Sequence, residues 1–120
     1  MIGSAVIHVA GGIFGTIFEI IRERAFEIRR KTDVIQSLIA LQRKHGPVKY
    51  KFAVDRSFAQ GTDREMRRTI VNGLIYEGII EEDTSSSPPR LWIDEDGEAL
   101  EEYWRFLDDI QENLAALQKK

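Results

Sequence analysis

The chain contains no cysteine. That excludes disulfides, thiolate-bound metals and thiol catalysis, and it fits a cytoplasmic protein. Its two histidines, His8 and His45, lie far apart in the sequence, too sparse a supply for a zinc or iron site completed by carboxylates. No G-x-S-x-G occurs, and Gly11, Gly12 and Gly15 are followed by no Gly-Lys-Ser/Thr. With no nucleophile motif, phosphate cradle or ligand spacing, neither an enzyme nor a cofactor or metal site is expected. An excess of positive charge is also missing, since the formal net charge is −3. Taken alone, that speaks against a nucleic-acid partner. A length of 120 residues suits one domain with extensions and a modest core.

The charge is unevenly distributed. Residues 42–80 hold eight basic side chains against four acids, whereas residues 81–112 hold two arginines against twelve acids. Phosphate binding depends on the local field rather than the total, so the basic stretch is a candidate contact surface. At its centre lies TDREMRRTIVNGLIYEGII, Thr62 to Ile80. Thr62 and Glu65 have the T-x-x-E spacing of a capping box. Met66, Ile70 and Leu74, with Val71 and Ile75 beside them, make one apolar helical face. Arg64, Arg67 and Arg68 are expected to point away from that face. Gly78 supplies the helix stop, and Ile79 to Asp83 begins a strand.

Residues 1–18 carry no Asp, Glu, Lys or Arg, and Gly11 and Gly15 form a G-x-x-x-G. A helix over about 13–31 follows from the spacing of Phe14, Phe18, Ile21, Ala25 and Ile28. Three environments stay open for residues 1–21: burial against protein, contact with a membrane with RERAFEIRRK as a basic flank, or a flexible tail. A secretory signal is disfavoured, because no basic residues precede the apolar run and no small-x-small cleavage site follows it.

Lys31, Thr32 and Asp33 interrupt the pattern, with Thr32 or Asp33 placed to cap a second helix. That helix, carrying Val34, Ile35, Leu38, Ile39 and Leu41, runs to about Lys44 and ends at Gly46-Pro47. Val48 to Phe52 reads as a short strand or the entry to a helix. Ala53, Val54, Phe58 and Ala59 suggest a short helix, with Phe52 and Phe58 in the core and Tyr50 half-buried. Gln60-Gly61 supplies a turn before the basic helix, an arrangement of the helix-turn-helix type. Leu91 to Asp94 is a second strand. The polar loop Thr84 to Arg90 joins it to the first, with Arg90 near the tip.

Asp94 to Gly97 turns the chain into a last helix. There Leu100, Tyr103, Leu107, Ile110, Leu114 and Leu117 are spaced 3-4-3-4-3, a heptad seam suited to homodimerisation. The alternative is one amphipathic helix closing its own domain.

The order of these pieces resembles the winged helix-turn-helix DNA-binding superfamily, and in particular archaeal regulators that dimerise through a terminal coiled-coil helix. The resemblance covers about residues 33–117 and rests on Val34 to Leu41, on LIYEGII from Leu74 to Ile80, and on DEDGEAL from Asp94 to Leu100. It implies a mainly α fold with a small β wing, flanked by long N- and C-terminal helices. The expected divisions are an apolar arm over 1–31, a winged domain over 32–96 and a dimerisation helix over 97–120. It further implies a dimeric transcriptional regulator of double-stranded DNA. Arg64, Arg67 and Arg68 would enter the major groove, together with Thr62 at the helix start. Lys49, Lys51 and Arg56 would hold phosphates, and Arg90 would reach the flank. The alternative is a protein-interaction or assembly adaptor, with a protein partner or a membrane engaged through residues 1–21.

Overall fold

The computed structural model describes residues 2–118, with side chains described for 22–113 and for Ala115. The elements are α1 (Ile2–His45), β1 (Val48–Lys49), α2 (Tyr50–Arg56), α3 (Arg64–Tyr76), β2 (Ile80–Asp83), β3 (Arg90–Ile93) and α4 (Glu98–Gln118). The fold is mainly helical with one small antiparallel sheet.

The break expected at Lys31 to Asp33 is absent, and α1 is a single helix of 44 residues. At a rise of about 1.5 Å per residue such a helix is about 66 Å long, and it sets the 68 Å long dimension of the molecule. The Thr32 hydroxyl is engaged within the helix. It donates to the Ile28 carbonyl in the preceding turn at 2.8 Å and lies 2.8 Å from the Tyr103 hydroxyl. A threonine bonded back in this way sits inside a helix instead of capping one. The helix therefore joins the expected arm to the expected domain without interruption. It stops where Gly46 takes φ +75° and donates its N–H to the Gln42 carbonyl at 2.7 Å.

The start of α3 also differs from expectation. Its N-cap is Asp63, whose carboxylate accepts from the Met66 N–H at 2.8 Å. Thr62 donates its hydroxyl to the Ala59 carbonyl at 2.6 Å and closes the preceding turn. A carboxylate one residue further along meets the positive end of the helix, which a neutral hydroxyl does less well. The other end of α3 matches the expected stop. Gly78 at φ +81° donates to Ile75 and Ile79 donates to Leu74, the paired bonds of a Schellman termination.

In the sheet, β3 lies between β1 and β2 and is antiparallel to both. Val48 and Glu82 both face Leu91, and Ile80 faces Ile93. The side chain of Gln42 locks α1 to the end of β3. Its amide nitrogen donates to the Ile93 carbonyl at 2.7 Å, and its oxygen accepts the Ile93 N–H at 2.6 Å. Both main-chain polar groups of Ile93 are thereby satisfied as its side chain enters the core.

One core joins every element. It contains Val34, Ile35 and Leu38 of α1, Ala53 and Val54 of α2, Val71 and Leu74 of α3, Val48, Ile80, Leu91 and Ile93 of the strands, and Leu100 and Tyr103 of α4. Strand alternation places Leu91 and Ile93 inside and leaves Trp92 half-buried on the other face. Phe52 packs against this core, but Phe58, expected within it, is 69% exposed. Helix α2 ends at Arg56, so Phe58 lies on the turn beyond it, where its N–H donates to the Ser37 hydroxyl at 2.8 Å. No helical face carries its ring inward.

Candidate functional site

The basic stretch folds into α2, a turn and α3. Helix α3 presents Val71 and Leu74 to the core, while Glu65, Arg68, Thr69, Asn72 and Tyr76 are exposed. These five recur at three- and four-residue spacings, so they form one outward stripe. Tyr76 is 92% exposed. Asn72 is held in place, since its amide oxygen accepts a hydrogen bond from the Tyr50 hydroxyl at 2.7 Å. That bond ties the stripe to Tyr50, whose sequence neighbours Lys49 and Lys51 are exposed.

The three arginines of α3 have different surroundings. Arg67 is half-buried. Its Nε donates to the Val54 carbonyl at 3.0 Å and its Nη1 to the Thr62 carbonyl at 3.2 Å. It ties α2 and the turn to α3, so the expected outward direction does not hold for this residue. Arg64 reaches the Asp55 carboxylate at 2.7 Å. Its hydrogen bond and charge hold the Asp55 carboxyl below the usual range, while Asp55 raises Arg64. Arg68 is exposed and 3.6 Å from Glu65, one turn back on the same helix.

The remaining basic candidates are scattered. Lys49, Lys51 and Arg56 are exposed, and the Arg56 guanidinium lies 5.7 Å from the centre of the Phe52 ring. Arg90 is the first residue of β3 instead of a loop-tip residue. It pairs across the sheet with Lys49 and Asp83, and its Nη1 turns back to the Pro47 carbonyl at 3.2 Å. Thr62 is half-buried in its turn. The exposed Glu81 and Glu82 keep β2 acidic. Asp83 beside them accepts hydrogen bonds from Ser85, which lower its carboxyl below the ordinary range.

The heptad seam is split by the fold. Leu100 and Tyr103 are buried in the chain's own core, and Leu107 packs against it. Ile110 is half-buried, and Phe106 on the same helix is 50% exposed. The side chains of Leu114 and Leu117 lie outside the described residues, as do those of residues 1–21. Among the residues whose side chains are described, no helix is long and apolar enough to cross a membrane, and no group of acidic or histidine side chains could hold a metal ion.

No family model, curated protein or solved structure matches the chain. The candidate site therefore rests on its own geometry. Sequence reasoning favoured the arginines and passed over Thr69, Asn72 and Tyr76. Their signal was their position opposite Val71 and Leu74 on the helical wheel.

Proposed function

We propose that this protein is a winged helix-turn-helix DNA-binding regulator acting as a dimer, with α3 as its recognition helix and β2–β3 as its wing. The observation that carries this reading is the exposed polar stripe of α3, opposite the core, which includes Arg68 and is tied through Asn72 to Tyr50, the neighbour in sequence of the exposed Lys49 and Lys51. The element order, with β1 joining the hairpin and a short helix before the capped one, supports the same arrangement. Within it, Arg67 holds the recognition helix on α2 and does not touch DNA. Arg68, Lys49, Lys51 and Arg56 contact phosphates, which position the protein without reading sequence.

Base reading falls to Asn72. An amide oxygen has two lone pairs, and Tyr50 uses one. The other can accept from adenine N6 while the amide nitrogen donates to N7, the usual pairing of asparagine with adenine in the major groove. Prior fixation by Tyr50 removes rotamer freedom that binding would otherwise have to remove. Enrichment from random duplex DNA tests this. Wild type is expected to select a site containing an adenine. Asn72→Ala should lose preference at that position alone, by about 1–3 kcal/mol, and keep salt-sensitive binding. An unchanged selected site would contradict Asn72 as the reader.

A protein-interaction adaptor is the second reading. It is favoured by the pairing of Arg64 with Asp55, the internal use of Arg67, the acidic β2 and the exposed Phe58. Dimerisation through the distal part of α4, beyond the turns that enter the core, is compatible with either.

A further inference from the structure

We infer that the N-terminal part of α1 is a lipid anchor that holds the domain at an anionic membrane surface. The inference is independent of the DNA reading. It begins with where α1 leaves the domain. Residues 22–27 are all exposed, and Ile28 is the first described residue that is partly covered. Because α1 is continuous from Ile2, it carries about 39 Å of helix ahead of Ile28. Its uncharged portion, to Phe18, accounts for about 26 Å, near the short end of what spans a hydrocarbon layer of about 30 Å.

Composition then favours lipid over a partner helix. Through Phe18 the polar side chains are Ser4, His8 and Thr16, and the other residues are apolar or glycine. A helix that is apolar all round needs cover on every side. One neighbouring helix, such as a second copy of α1 or a distal α4, covers one side and leaves the others in water. Lipid covers them all, and Gly11 and Gly15 permit close pairing of two such helices within it.

Charge supplies the complementary observation. After the apolar run, Arg22, Arg24 and Arg29 are exposed and Arg30 is half-buried, four arginines against Glu19, Glu23 and Glu27 over residues 19–30. Arg22 and Arg24, nearest the apolar run, meet anionic headgroups, and the excess of arginine in this flank sets the domain on the cytoplasmic side. Residues 19–27 act as a rigid spacer of about 13 Å. That exceeds the screening length of about 8 Å at physiological salt, so the acidic α4 and β2 are not strongly repelled by the surface.

The test uses the full chain reconstituted from detergent with phosphatidylcholine vesicles containing phosphatidylserine, followed by flotation and an alkaline carbonate wash. Wild type is expected to float and to stay with the vesicles after the wash. The full-length variant Ile13→Glu plus Ile17→Glu is expected to float at least about tenfold less, with unchanged helical circular dichroism. A variant that floats as well as wild type would overturn the inference. So would a wild-type chain that stays at the bottom of the gradient as a detergent-free dimer by light scattering, which would assign the apolar end to a second copy.

Discussion

Neighbouring positions on α3 bear the same kind of residue in sequence and have opposite roles in the fold. Arg67 and Arg68 are neighbours, yet one guanidinium is bonded to two main-chain carbonyls and the other is exposed beside Glu65. A step of about 100° around a helix separates them. A positive residue in a candidate recognition helix is therefore available to a partner only if the fold leaves its donors free. The same contrast divides the half-buried Thr62, closed into a turn, from the exposed Asn72, aimed outward by Tyr50.

The largest effect that would break this comparison lies on the inner side. Leu74 is fully buried, and Leu74→Ala should lower stability by about 2–5 kcal/mol, measured by urea unfolding. Arg67→Ala comes next. Loss of two charge-assisted bonds to carbonyls is expected to cost roughly 1.5–3 kcal/mol of stability. Arg68→Ala should leave stability within about 0.5 kcal/mol and instead weaken DNA binding uniformly across sequences. The two variants together sharpen the comparison, since a DNA-specific defect in Arg67→Ala with unchanged unfolding would reverse their assigned roles.

The smallest expected effect concerns the helix that closes the core. Burial raises the Tyr103 phenol above its ordinary value, against a smaller opposite influence of its hydrogen bond with Thr32. A raised folded value means that the unfolded chain loses this proton first. The contribution of Tyr103 is thus complete below about pH 10 and is lost as pH rises through the folded value. Unfolding midpoints should fall more steeply above pH 10 in wild type than in Tyr103→Phe. Equal slopes would show that the phenol does not report docking of α4.

Much of the scaffold was legible from local signals. Gly46 and Gly78 end their helices where their positions after apolar helices implied, both at positive φ. The alternation of Leu91, Trp92 and Ile93 assigned their faces, and the 3-4 spacing of α4 began at buried Leu100 and Tyr103. Other features depended on tertiary partners that spacing does not name. A threonine can cap a helix or bond back within one, and Thr32 does the second beside Tyr103. The inward turn of Arg67 requires the Val54 and Thr62 carbonyls. For Phe58, the end of α2 at Arg56 mattered more than side-chain hydrophobicity. In the candidate site, the basic residues were visible as charges, but the Tyr50–Asn72 bond spans 22 positions and leaves no mark in either local pattern.

Binding of the full chain in detergent to random-sequence duplex DNA, followed by fluorescence anisotropy across a salt series, tests the DNA-binding proposal most directly. With Lys49, Lys51, Arg56 and Arg68 on phosphates, log affinity should fall against log salt with a slope of about −3 to −4 per protomer. Arg68→Ala should reduce that slope by about one. No binding at low salt, or affinity that does not change with salt, would contradict a phosphate-contacting surface and favour the protein-interaction reading.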